Sequence, residues 1–324
     1  MDTDKLKELQ ALDLEHKLIL TKGRIQEWYE HWDGKVYVSF SGGKDSTVLL
    51  HIVRQLYPKV PAVFVDTGLE YSEVREFALS RENVIRLTPK MNFRQVLEKC
   101  GYPIIRKEIA HAIESVRRNP DCKNSKKLLT GYMSDGKKTD FYIPEKWKYC
   151  IDAPFEISEK CCYYMKKQPF IQYEKANKRA MMTGEMASDS MSRKKEYVAN
   201  GCNAFNLKRP KSTPLGFWLE SDVWEYLRRY EVPYSKIYDM GYDRTGCMFC
   251  MFGCHLEERP SRFQRMQVTH PKQYQYCIGG GEWKDGKWGP SKEGLGLGFV
   301  LDYIGVPYND DRNLWPTKEL LESR

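Results

Sequence analysis

The sequence predicts an α/β fold, an open and mostly parallel sheet with helices on both faces, followed by a Gly- and aromatic-rich C-terminal appendage. Three observations predict it. Residues 35–40 form a β-branched and aromatic run that stops at two glycines, and 45–57 (DSTVLLHIVRQLY) then carry apolar residues at helical spacing. Residues 61–66 (PAVFVD) are almost wholly apolar, as strands covered on both faces are, and they return at the distance a right-handed crossover needs. Residues 84–87 (VIRL) and 179–184 (RAMMTG) supply a third and a fourth strand.

With 324 residues, 41% of them hydrophobic, the chain can bury one large core or a core plus an appendage. The expected organisation is a helical lead-in over 1–30, the α/β domain over 31–255 and the appendage over 256–324. A balance of 52 Lys and Arg against 44 Asp and Glu gives +8, which favours polyanionic partners but also serves plain solubility. No apolar leader and no run of 18 apolar residues is visible, so the expectation is a cytoplasmic protein without a membrane partner. Five of the ten cysteines fall in two tight groups, an argument against disulfides.

The first strand ends in Ser41-Gly42-Gly43-Lys44-Asp45-Ser46, a strand-to-helix turn. Backbone amides there, with the helix dipole behind them, suit a phosphate. The turn is not a P-loop, because Asp45 stands where Ser or Thr is required and Val38 where the first glycine should be. Lys44 reads as an exposed charge whose removal would leave the fold intact. Asp66 and Thr67 lie at the carboxyl end of the second strand, the edge where open α/β sheets bind ligands.

Taken together, SGGKDS after a strand, DTG after the next, a CC pair and a distant CxxC resemble the phosphoadenosine phosphosulfate (PAPS) reductase family of PP-loop adenine-nucleotide proteins, over about residues 30 to 255. The resemblance implies an adenine nucleotide α-hydrolase core that binds ATP or a sulfonucleotide (APS or PAPS). Ser41, Gly42, Gly43, Lys44, Asp45 and Ser46 would hold phosphate, with Asp66, Thr67 and Gly68 near the nucleotide. Gly184 and Arg193 would face the reacting group, Lys44, Asp45 and Arg193 being the catalytic candidates.

Cys161 and Cys162, followed after 84 residues by Cys247 and Cys250, are the usual complement for a cluster or for zinc. Adjacent cysteines are awkward on a tetrahedral zinc, and the resemblance to adenosine phosphosulfate reductases implies a 4Fe-4S cluster. Cys150 and Cys254 remain open as substitutes. Lys166 and Lys167 match a basic position after the CC pair in those reductases. Cys100, Cys122, Cys202 and Cys277 read as packing residues. Trp218, Val223, Trp224 and Leu227 form a stripe read as core.

The reductases end in a Glu-Cys-Gly-(Ile or Leu)-His element whose thiol attacks the substrate sulfur. Here Cys277 is followed by Ile278-Gly279-Gly280, and no later cysteine occurs in the sequence. That departure shifts the expectation to ATP-pyrophosphatase-type sulfur transfer onto a nucleic acid, DNA or tRNA, with Mg²⁺ as the expected helper and a protein sulfur donor. The alternatives are a sulfonucleotide reductase with a displaced thiol, served by a thiol reductant, and a nucleotide-sensing module without turnover. Basic segments 117–148 and 175–211, each with nine Lys and Arg, would follow a phosphate backbone.

Overall fold

The structure, a computed structural model, describes residues 2–309. The chain divides into two compact units. One comprises the residues up to Asp66, Glu70–Thr88 and Gln168–Thr245; the other comprises Thr67–Leu69, Pro89–Lys167 and the residues from Gly246 onward. No helix among the described residues is long and apolar enough to cross a membrane.

The first unit holds a six-stranded sheet of β1 (Val36–Ser39), β2 (Ala62–Val65), β3 (Val84–Leu87), β4 (Ala180–Thr183), β5 (Asn203–Ala204) and β6 (Lys211–Ser212). The order is β3-β2-β1-β4-β6-β5, parallel throughout except for β5. Four of these strands are the ones the sequence predicts, within a residue or so at each end. Helices cover both faces, as expected. Val36 and Val38 of β1 pack in one cluster with Ile25 and Trp28 of the helix Leu14–His31 and Leu49, Ile52 and Val53 of the helix Lys44–Leu56. Tyr37, pointing the other way by strand alternation, packs with Val63, Tyr173 and Phe170 of the helix Gln168–Asn177. A buried ion pair, Lys17 Nζ to Asp222 Oδ2 at 2.6 Å, ties the helix Leu14–His31 to the helix Glu220–Arg229.

Because β2 lies on one side of β1 and β4 on the other, the strand order reverses between β1 and β4. A crevice opens outside the carboxyl ends of strands at such a point. The glycine turn after β1 and Gly184 after β4 both stand there.

The second unit carries the helices Phe93–Cys100, Lys107–Arg118 and Lys123–Thr130, and later Arg262–Thr269, Pro271–Ile278 and Leu297–Tyr303. It also holds the hairpin of β7 (Gly281–Lys284) and β8 (Lys287–Pro290). Glycines flanking the hairpin are closely packed. A Cβ on Gly281 would come within 2.1 Å of the Trp288 ring, and one on Gly280 within 2.2 Å of the Gly294 nitrogen. The part of the expected appendage from residue 310 lies outside the described residues.

Candidate functional site

The turn after β1 is shaped by its two glycines. Gly42 has φ +75°, and a Cβ there would meet the Val74 carbonyl at 2.8 Å. Gly43 precedes the helix Lys44–Leu56 and supplies no side-chain cap, so the amides of the helix start take their partners from elsewhere. A Cβ on Gly43 would sit 2.6 Å from Thr245 Oγ1, so the 238–245 segment closes on the loop. Hydroxyl groups hold the loop's shape: Ser41 N–H donates to Ser46 Oγ at 3.2 Å, Gly43 N–H to Ser41 Oγ at 3.3 Å, and Lys44 N–H to the Tyr238 hydroxyl at 2.8 Å. Gly184 completes the turn from β4. A Cβ there would come within 2.9 Å of the Asp45 carbonyl.

Lys44 is buried, which corrects its reading as an exposed charge. Its ammonium donates to the Asp243 carbonyl at 3.0 Å, pairs with Glu220 Oε1 at 3.0 Å, and lies 5.2 Å from the Tyr238 ring centroid and 5.8 Å from that of Trp224. Burial works against the charge, but Asp45, Glu220 and Tyr238 outweigh it and hold Lys44 above its ordinary value. Trp224 therefore faces the loop lysine and is only partly buried, whereas Trp218, Val223 and Leu227 are core as expected.

The Asp45 carboxyl is pushed up to about 6, first by burial and then by Asp189 and Glu220, against the opposing charges of Lys44 and Arg193. Its Oδ1 is buried without a hydrogen-bond partner among the described residues. An ionisable oxygen left unsatisfied at the start of a phosphate-suited helix is a natural cation or substrate contact. Arg193 begins the helix Met191–Asn200 with its N–H on Ser190 Oγ at 3.2 Å, and its guanidinium is gripped by Asp189 and lies 3.6 Å from Glu185.

Asp66, at the end of β2, is buried and engaged by two guanidiniums, Arg75 Nη2 at 2.9 Å and Arg86 Nη2 at 2.7 Å. Burial raises its carboxyl, but the two arginines overcome that and hold it below the ordinary range. Thr67 and Gly68 follow, the latter at φ +73° with open space where a Cβ would be. Sequence reasoning did not find Tyr238, Asp243, Thr245, Glu220, Arg75 or Arg86. Only the basic pair near an acidic strand end offered a signal.

In the second unit, Cys161 is buried two residues before a π-turn, Tyr163–Lys167, a local underwinding common at functional sites. Its thiol is raised by burial and then by the charges of Cys162, Cys247 and Cys250, and lowered by that of Lys166, so both cysteine pairs act on it electrostatically. Cys250 N–H donates to the Cys247 carbonyl at 3.1 Å, and Arg262, held by Glu257, donates to the Cys250 carbonyl at 2.9 Å. Among the described residues no group of three His, Cys, Asp or Glu is arranged to hold a metal ion. Cys254 is buried, donates to the Met251 carbonyl at 2.9 Å and is pushed up to about 12. Cys150, Cys202 and Cys277 are buried as well. Cys122 departs from the packing expectation. It is exposed at the cap of the helix Lys123–Thr130, where it accepts from the Ser125 N–H at 3.3 Å, and its hydrogen bonds with Ser125 lower its thiol.

The phosphoadenosine phosphosulfate reductase domain matches residues 35–115 and 136–252, which include the turn after β1, Asp66, Gly184, Arg193 and both cysteine pairs. The chain belongs to this family. A PAPS reductase family relative, the adenosine 5'-phosphosulfate reductase of Staphylococcus haemolyticus, is 26% identical over 233 residues, covering 71% of this chain and 77% of that protein. An uncharacterized protein of Methanocaldococcus jannaschii is 25% identical over 308 residues, 91% of this chain. This chain spans 56% of that relative's length. A solved phosphoadenylyl-sulfate reductase from Candida auris aligns with a TM-score of 0.41 at 15% identity, over 76% of this chain and 96% of that one. Family membership makes this a PP-loop nucleotide-binding chain.

Proposed function

We propose that this PAPS reductase family member is an ATP pyrophosphatase that activates a nucleic-acid acceptor for sulfur insertion. The observation that carries the reading is Asp45 Oδ1, buried and without a hydrogen-bond partner among the described residues, at the start of the helix Lys44–Leu56. A triphosphate on the loop amides would place its oxygens beside that carboxylate, and a Mg²⁺ bound there would supply charge neutralisation for the leaving pyrophosphate. An acceptor oxygen attacks the α-phosphorus, pyrophosphate departs, and a reduced sulfur nucleophile then displaces AMP from the activated position. In this scheme the loop amides and helix end stabilise the charge growing on pyrophosphate, and Arg193, whose charge already acts on Asp45, would face the reacting group.

Cys161, Cys162, Cys247 and Cys250 fit a 4Fe-4S cluster by their donor chemistry, two pairs of thiols, with the charge of Lys166 acting on Cys161. When bound, such a cluster would carry or present the sulfur. Cys277 supports insertion over reduction: it is wholly buried and its thiol is pushed far up, so it offers no accessible thiolate.

A second reading, thiol-dependent reduction of a sulfonucleotide, is favoured by one observation. Cys122 is exposed and shifted toward the thiolate, which gives that reaction a nucleophile in place of the terminal one. The test is to offer anaerobically prepared protein ATP with tRNA or DNA in one arm and a sulfonucleotide with a thiol in the other. Acceptor-dependent AMP and pyrophosphate support insertion; sulfite that disappears in Cys122→Ser supports reduction.

A further inference from the structure

The second unit contains an open cleft of about 710 Å³ that the nucleotide and cysteine sites leave unused. Five cations line it, Lys99, Arg117, Arg118, Lys160 and Lys287, against three carboxylates, Glu114, Asp152 and Glu156. Two of the carboxylates are already shared. Glu114 takes both Lys160 and Arg118, while Glu156 takes Lys287 and lies 4.0 Å from Arg117.

Arg117 is the fixed element of this wall. Its guanidinium donates to the carbonyls of Ile151, Phe155 and Cys150 at 2.7 Å each and of Ala153 at 2.9 Å, so its donors are filled by neutral groups, and the Glu156 carboxylate stands no nearer than 4.0 Å. The opposite margin is equally anchored. Trp288 N–H donates to the Pro154 carbonyl at 2.6 Å, so the hairpin that carries Lys287 is joined to the turn that Arg117 holds. Lys99 lies 5.4 Å from the Tyr164 ring centroid, an aromatic face at the cleft margin. The cleft has the size of a nucleotide site, a surplus of cations in a preorganised frame, and a ring for stacking.

We infer that this cleft binds the phosphodiester backbone of the nucleic-acid acceptor. The inference rests on the acceptor class proposed above, and its test is independent of turnover. A fluorescein-labelled single-stranded 20-mer, as RNA and as DNA, is titrated into the full chain by anisotropy between 50 and 200 mM salt. Lys99→Gln, Arg118→Gln and Lys287→Gln are compared with Lys272→Gln, an exposed lysine that does not line the cleft. Arg117 is left intact because its bonds hold the wall. Each cleft variant is expected to weaken binding about threefold to tenfold and to lower the salt slope by about 0.7 for each lost contact to a single strand. Melting temperature and binding of a fluorescent ATP analogue should match wild type.

Cleft variants that bind the oligonucleotide as wild type does overturn the inference, as does a wild-type protein that binds no oligonucleotide. Competition by AMP or inorganic phosphate at equal phosphate concentration assigns the cleft to a small phosphorylated ligand and also overturns it. Loss of oligonucleotide binding in these variants, in a protein that never converts ATP to AMP, upholds the cleft and defeats the reaction; normal binding with acceptor-dependent turnover does the reverse.

Discussion

The first amide of the phosphate-suited helix, Lys44 N–H, is held by the Tyr238 hydroxyl at 2.8 Å, across 194 residues of sequence. An oxygen on that amide occupies the place a phosphate oxygen would take. Tyr238→Phe removes the acceptor and leaves the N–H without its partner, at a cost of about 1 to 3 kcal/mol in the nucleotide-free protein. Urea melts with and without Mg-ATP check this, and saturating nucleotide should narrow the deficit. An equal deficit in both would mean that phosphate does not reach this amide.

Asp45 sets a pH dependence. Its carboxyl rises from an ordinary 3.8 to about 6 in the fold, so the stability it contributes is present below pH 3.8 and is lost as pH climbs through 6. The ceiling on that loss is about 3 kcal/mol, at about 1.4 kcal/mol per pH unit. Asp45→Asn should therefore melt higher than wild type at pH 7.5, with the gap shrinking as pH falls toward 5. The same variant should lose Mg²⁺-dependent ATP affinity. Wild-type affinity should fall as pH drops through 6, where the carboxylate takes a proton. A variant that melts below wild type at pH 7.5 would contradict the assignment.

Gly184→Ala tests the crevice wall. The added methyl meets the Asp45 backbone at 2.9 Å, and backbone cannot yield as a flexible side-chain tip can. The expected cost is about 1 to 3 kcal/mol, accompanied by weaker ATP binding because the loop itself must shift. Unchanged affinity would separate the glycine from the nucleotide site.

Iron content tests the cysteine pairs. Protein prepared anaerobically should hold about four irons per chain, and serine at Cys161, Cys162, Cys247 or Cys250 should abolish them. Cys254→Ser should retain iron, since that thiol already bonds the Met251 carbonyl. Zinc in place of iron, or retention of iron in the Cys161→Ser protein, would contradict the ligand set.

The sheet was legible because each central strand is a short apolar run bounded by polar turns. Residues 35–40, 61–66, 84–87 and 179–184 all became strands close to where periodicity places them. The site was legible only where chemistry is local. The glycine turn could be read from six consecutive residues, whereas Tyr238 and Thr245 reach it from some 200 residues downstream, and no short-range pattern records that approach. The burial of Lys44 was hidden for the same reason, because Glu220, Trp224 and Asp243 form its pocket. Strands β5 and β6, at two residues each, are too short to leave a period. The hairpin of β7 and β8 was signalled by Asp285-Gly286, both at positive φ, between EWK and KWG. The surrounding glycines masked that signal, because the stretch read only as a Gly- and aromatic-rich appendage.

The most direct test of the account is one anaerobic reaction containing the iron-loaded protein, Mg-ATP, a reduced sulfur source and tRNA or DNA, in which AMP, pyrophosphate and acceptor-bound sulfur are measured together. The account predicts the three products in equal amounts, none without acceptor, none with Asp45→Asn, and undiminished yield with Cys122→Ser and Cys277→Ser. ADP in place of AMP, or sulfite released from a sulfonucleotide with no use of ATP, would contradict it.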